Sequence, residues 1–277
     1  MFAIFKRFIK ILLQKIIFYF FNIINFFIPE IISYKFFDKK INVYENKKKI
    51  FSLRNYSPTC KWRAQTFLTK EIDTISWINS FNENDVFLDV GANIGIYSLY
   101  AANKLSKVWS IEPESLNFAM LNLNINDNGL ASKITAIPLS LHKNMKIDKL
   151  NIRNLDWGEA LNSFETAKDQ FGKKFKPNFT QGSFSTTLDN IIKMIGKIDH
   201  IKIDVDGNEE YIIEGGYQNT KERTFKSILI ELDEKLSNYK SILDKIEING
   251  YVLKSKTASS FYTEIFGSTK NHIFYRE

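Results

Sequence analysis

The pattern of apolar and polar positions divides the chain into two unlike parts. Residues 2–28, FAIFKRFIKILLQKIIFYFFNIINFFI, are almost continuously apolar and stop at Pro29. At helical spacing, Lys6, Arg7, Lys10, Gln14, Lys15, Asn22 and Asn25 gather on one half of a helix. Phe5, Phe8, Ile9, Leu12, Ile16, Tyr19, Phe20, Ile23 and Phe27 occupy the other half, although Ile17, Phe18 and Phe21 intrude on the polar face. From residue 86 onward short β-branched runs alternate with helical spacing. Val86–Val90, Lys107–Ile111, Ile134–Leu139, Ile198–Ile203 and Ser227–Leu232 read as strands; Ile96–Ala102, Asn117–Asn128 and Asp189–Ile195 read as helices. This alternation predicts an α/β domain built on a doubly wound sheet. Tyr251–Lys254 and His272–Tyr275 are two further strands, parted by a polar loop. The expected organisation is an arm over residues 1–37, lead-in strands and a helix over 38–82, and a main domain over 83–277. About 141–186 interrupts the alternation as an insertion on the acceptor side.

Composition sharpens this picture in one respect. The formal charge is +7, but residues 1–61 hold twelve basic and three acidic side chains, so the remaining residues carry −2. A body of that charge lacks the cationic groove that phosphates require, and no Asp/Asn-Pro-Pro-aromatic motif for a base amino group is present; nucleic acid is not the expected partner. Cys60 is the sole cysteine, and His142, His200 and His272 are scattered without metal-ligand spacing, which removes a zinc hydrolase; His142 and His200 read as structural. For the arm, Lys15 and the two asparagines interrupt a membrane span, and no small-residue cleavage site follows. A basic amphipathic helix in the membrane interface fits best, with a helix packed on the domain or a second subunit as the alternative.

The chemistry sits at the first strand. Val86-Phe87-Leu88-Asp89-Val90 runs into Gly91-Ala92-Asn93-Ile94-Gly95 and then into a helix, so backbone passes close to a ligand at the carboxyl edge of the sheet. Glu112 ends the second strand, seventeen residues after Gly95, where an acid accepts hydrogen bonds from both ribose hydroxyls of an adenosine. Asn93 stands where a dinucleotide fingerprint needs glycine, which argues against a pyrophosphate. Asp89 is expected to face the amino end of the ligand. An α-amino acid joined to adenosine without phosphate, S-adenosylmethionine, satisfies both.

Phe87 to Gly95, Ile111-Glu112-Pro113-Glu114-Ser115-Leu116-Asn117 and Ile201-Lys202-Ile203-Asp204-Val205-Asp206-Gly207-Asn208-Glu209, with Thr187-Leu188-Asp189 placed so that Asp189 stands fifteen residues before Asp204, resemble the FkbM family of class I methyltransferases. The likeness runs from about Trp62 to Arg276. It implies a Rossmann-like, seven-stranded, mostly parallel sheet with an antiparallel last strand. It also implies an oxygen acceptor, a hydroxyl of a sugar or surface-glycan precursor, with another small-molecule or lipid acceptor as the alternative; the arm, which lies outside the resemblance, would bring a cytoplasmic enzyme to the inner face of the membrane.

In a continuous strand Lys202, Asp204 and Asp206 share one face. The resemblance implies that Asp204 lies at the sulfonium and orients or deprotonates the accepting hydroxyl, with Lys202 and Asp206 beside it. Asp204, Asp206 and Glu231 also form a set that suits a divalent cation, a reading the sequence leaves open. The resemblance places Glu71 at the methionine end of the cofactor, although Ile72 replaces the proline that often follows it. Gly91, Asn93, Gly95 and Asn117 are expected around the cofactor and Ser140 beside the adenine. Trp157, Asn162 and Glu231 are expected at the acceptor. The rival from another class is a membrane-attached ligand-binding protein that keeps the fold without turnover.

Overall fold

The computed structural model describes residues 12–23, 39–222, 224–258 and 268–277. The chain divides into two units, Met1–Lys40 and Ile41–Glu277. Of the first, residues 12–23 form a helix on which Leu12, Leu13, Ile16, Phe18, Phe20 and Ile23 are exposed. The rest of the predicted amphipathic segment lies outside the described residues. Among the described residues no helix is long and apolar enough to cross a membrane.

A hairpin, β1 (Lys40–Glu45) and β2 (Lys48–Arg54), falls in the second unit from Ile41 onward. Its turn residues Asn46 and Lys47 both take positive φ, the mirror-image turn that matches the twist of paired strands. The helix Pro58–Lys70 follows; Ser57 caps it by accepting from the Cys60 amide at 3.0 Å, and proline occupies the first turn, where its missing N–H costs nothing. A second helix, Ile72–Asn79, completes the lead-in.

The main sheet contains β3 (Val86–Val90), β4 (Lys107–Ile111), β5 (Ile134–Ile137), β10 (His200–Ile203), β11 (Ser227–Asp233), β12 (Tyr251–Ala258) and β13 (Thr269–Arg276). Their order is β12-β13-β11-β10-β3-β4-β5. β13 runs antiparallel to both neighbours and the other pairs are parallel, as the sequence leads one to expect. Phe87 and Leu88, adjacent on β3, enter opposite cores, because successive strand residues face opposite sides. The first core takes in Leu99 and Leu121 from the helices Ile96–Ala102 and Ser115–Asp127. The second takes in Ile191, Ile212 and Ile242 from Leu188–Ile195, Glu209–Gly215 and Tyr239–Glu247. β5 stops two residues earlier than the hydrophobic run, because Pro138 offers no N–H to the ladder.

The insertion is more ordered than its sequence announces. β6 (Ser140–Leu141), β7 (Lys146–Ile152), β8 (Ser163–Phe164) and β9 (Phe179–Thr186) form a second sheet in the order β6-β9-β7-β8. It has its own small core of Leu150, Ile152 and Phe164. This sheet contributes walls at the carboxyl ends of β3, β4 and β10, the edge where ligands bind in such folds.

Candidate functional site

The site grows from the turn after β3. The amides of Gly91 and Ala92 both donate to the carbonyl of Ile111 at 3.0 Å, tying the turn to β4. Gly91 has φ +81°, and a Cβ there would stand 1.8 Å from the carbonyl oxygen of Asp204, so backbone meets backbone and only glycine fits. Asn93, also at positive φ, donates its amide to Glu112 Oε2 at 2.8 Å. Glu112 Oε1 accepts from the Glu114 amide at 2.8 Å. Burial pushes the Glu112 carboxyl up to about 8 despite these two donors.

A cavity opens here. One part is apolar, with Ile111, Leu139, Leu141 and Phe164; Glu112 and Ser140 add polar groups beside it. Its described walls carry five carboxylates, from Glu112, Glu114, Glu159, Asp204 and Asp206, and no lysine or arginine. Those walls fit an adenosine joined to a cationic sulfonium and amine, and they offer a pyrophosphate no cation.

A second, wider cavity shares Gly91, Asn93, Glu159, Ala160, Asp204 and Asp206 with the first. Asp204 stands at this junction. Its Oδ2 lies 2.6 Å from the ammonium of Lys202, which is itself buried and sits 5.0 Å from the centre of the Tyr97 ring. Burial opposes the charge on Lys202, but Asp204, Asp89 and Glu71 outweigh it and hold the group above the usual lysine range. Asp204, Asp206 and Glu231 each bring an oxygen within 4.8 Å of the others. Burial and then the charge on Asp204 raise the Asp206 carboxyl to about 6, and the same two causes raise Glu231 well above the carboxylate range.

Several expected residues thus meet, and others do not. Gly91, Asn93, Glu112, Asn117, Ser140 and Asn162 line the first cavity; Glu231 lines the second. Asn162 was expected at the acceptor, but its side-chain oxygen accepts from the Arg153 amide and it lines the first cavity alone. Lys202, Asp204 and Asp206 do not continue one strand face. β10 ends at Ile203, and Asp206 turns to φ +60° and accepts from the Leu161 amide at 2.7 Å. Asp89 was expected to face the ligand, yet it lines neither cavity. Its Oδ2 accepts from Ser98 Oγ at 2.6 Å under the helix Ile96–Ala102, because strand alternation turns it to that layer together with Phe87. Its other carboxylate oxygen has no hydrogen-bond partner, and burial raises its pKa against the pull of Lys202.

Glu71 is also enclosed, accepting from Lys70 at 2.7 Å, Thr74 at 3.2 Å and Asn271 at 3.1 Å. Although burial opposes it, Lys70 and Lys202 hold its carboxyl down at about 2. Trp157 packs its ring edge-on to Tyr56 at 5.4 Å and lines neither cavity; an aromatic in a polar insertion here anchors the loop to the lead-in. Gly95 serves the turn, since a Cβ there would meet Leu121 Cδ1 at 2.4 Å. His200 is structural, stacked on Phe81 and bonded to Asp85 and Ser227.

Sequence reasoning missed Glu159, whose carbonyl accepts from both Asn93 at 2.8 Å and Asn117 at 2.9 Å, and so clamps the insertion over both cavities. It also missed Arg63 and Arg153 in the second cavity; single arginines on a helix and at a strand end read as solvated positions.

A family model described as the methyltransferase FkbM domain matches residues 89–253. Methyltransferase sdnD of Sordaria araneosa is 29% identical over 187 residues, which span 58% of this chain and 72% of that protein. Among solved structures, magnesium protoporphyrin IX methyltransferase from Synechocystis, with bound SAM, matches at a TM-score of 0.48 and 10% identity over 80% of this chain and 86% of that one. Precorrin-6y C5,15-methyltransferase from Geobacter metallireducens matches at 0.43 and 14% identity, over 75% and 88%.

Proposed function

Starting from the fact that the chain belongs to the FkbM methyltransferase family and uses S-adenosylmethionine, we propose that it methylates a hydroxyl of a sugar or surface-glycan precursor. The observation that carries this reading is the junction of the two cavities at Gly91 and Asp204. S-adenosylmethionine supplies there a methyl group on a positively charged sulfur. Asp204, at the junction, would favour that positive charge, Glu112 would accept from the ribose hydroxyls, and the apolar part would take the adenine. Lys202 is a positioning residue that holds Asp204 by Oδ2, and Asp204 accepts the hydrogen bond of the acceptor hydroxyl and aims its oxygen. In-line transfer gains chiefly from such alignment. The clamped loop around Glu159 supplies one wall of the junction.

The acceptor is tested by radiolabelled methyl transfer into fractionated cell-envelope glycans, with and without chelator. Label confined to protein or nucleic acid overturns the sugar reading. Loss of transfer on chelation favours a second reading, in which Asp204, Asp206 and Glu231 hold a divalent cation that acidifies the hydroxyl.

The arm, with its basic face and the exposed apolar residues of 12–23, is proposed to hold the enzyme at the inner face of the cell membrane. Deleting residues 1–37 is expected to abolish co-sedimentation with anionic vesicles and to leave cofactor affinity intact. An unfolded truncated protein would place the arm in the core instead.

Glu112 predicts a pH dependence of opposite sign for stability and for binding. Its folded-state value lies above the ordinary 4.5, so its contribution to folding is full below about pH 4.5 and fades as pH rises through about 8. Two ribose hydroxyls need the ionised carboxylate, so affinity for S-adenosylhomocysteine is expected to rise by about tenfold or more between pH 6 and pH 8. Calorimetry on Glu112→Gln should give a flat profile; a slope as steep as that of the wild type would remove the assignment.

A further inference from the structure

The second cavity has a flank that methyl transfer leaves without a task. Its floor at the sheet edge is acidic, with Asp204, Asp206 and Glu231, whereas the helix Pro58–Lys70 and the segment after β7 supply Arg63, Lys70 and Arg153. Two of these cations are matched: Lys70 lies 2.7 Å from Glu71 Oε1, and Arg153 Nη2 lies 2.9 Å from Asp169 Oδ2. Arg63 differs. Its Nε donates to the carbonyl of Gly158 at 2.8 Å, and among the described residues no carboxylate closes an ion pair with it. Arg153 adds a second sign, for its Nε is buried with no hydrogen-bond partner while its guanidinium sits 4.6 Å from the centre of the Phe175 ring. A guanidinium tethered through one nitrogen keeps its remaining N–H groups in a fixed plane, the geometry that matches two oxygens of a carboxylate or phosphate. The two signs also orient a ligand. An anionic group is kept from Asp204 and drawn to the flank, which leaves the floor to the uncharged hydroxyl.

We propose that Arg63, together with Arg153, binds an acidic group of the acceptor, a carboxylate or a phosphate, and thereby presents a neighbouring hydroxyl to Asp204. The acceptor is then an acidic sugar, a uronate or a sugar phosphate, in place of a neutral one. This rests on the sugar reading above, and the experiment separates the two.

Calorimetry on the full chain saturated with S-adenosylhomocysteine measures binding of glucose, glucuronate and glucose 6-phosphate, with lactate and inorganic phosphate as acids without the ring. One of the two acidic sugars is expected to bind at least about tenfold more tightly than glucose, and which one does so tells carboxylate from phosphate. Arg63→Gln should erase that margin, Arg63→Lys should keep part of it, and affinity for S-adenosylhomocysteine should not move in either. Added salt should shrink the wild-type margin, a measurement that stands even where a variant fails to fold. No margin for either acidic sugar, through equal affinity or through absence of binding, overturns the proposal, as does a margin that survives in both Arg63→Gln and Arg153→Gln. Lactate or phosphate binding as tightly as the sugar acids, and lost in Arg63→Gln, would keep the anion site and remove the sugar. Glucose binding as tightly as its acids would keep the sugar and remove the anion site.

Discussion

Asp204→Asn is expected to lower methyl transfer by about 10²–10⁴-fold, the range for a positioned acid–base group, with affinity for S-adenosylhomocysteine unchanged. The variant keeps an oxygen that can still accept from Lys202, now 2.6 Å from Oδ2, so the local fold should hold. What it removes is the negative charge at the junction of the two cavities. The loss should fall on kcat with little change in KM, because orientation of the hydroxyl matters most as the new bond forms. Single-turnover rates with saturating cofactor check this. Turnover within a few-fold of wild type would remove Asp204 from the chemistry, whereas cofactor binding with no turnover in the wild type itself would favour the rival reading, a ligand-binding protein on a methyltransferase fold.

Lys202→Met should be the most damaging single change to stability. The ammonium is buried, and the carboxylates of Asp204, Asp89 and Glu71 all act on it. Methionine fills similar volume without charge, so the cost is electrostatic, and leaving buried carboxylates uncompensated costs about 3–5 kcal/mol. Chemical denaturation gives the total. A double-mutant cycle gives the cause: with Asp204→Asn as partner, Lys202→Met should cost less than it does alone. Strict additivity would show that the 2.6 Å contact is incidental and that the loss comes from elsewhere, with Asp89 and Glu71 the remaining carboxylates that act on Lys202.

The site was legible where one residue type answers one geometric demand. Gly91 must be glycine because the Asp204 backbone lies where a Cβ would go, and Glu112 marks the end of β4 by being an acid after an apolar run. Alternation told where each strand residue faces only while the strand lasted. It failed for Asp206, beyond the end of β10, and Asp89 shows that an acid at a strand end can serve the interior layer. The second sheet escaped notice because β6 and β8 have two residues each, while β7 and β9 are long but largely polar and carry no sustained apolar alternation. Arg63 was invisible for a different reason: a cation on a half-buried helix looks solvated until the neighbouring insertion is folded against it.

The place of β13 bears on how the protein is made. This strand, close to the end of the chain, lies between β11 and β12 and supplies Asn271, which bonds to Glu71 two hundred residues earlier. While the polypeptide is being synthesised, β11 and β12 must therefore wait with open edges until residue 276 has emerged, and only then can the final pairing close. A chain broken off before β13 would keep most of its cofactor pocket but leave β11 without that partner and β12 detached from the sheet. Such a product belongs to the chaperones and proteases that handle unpaired strands.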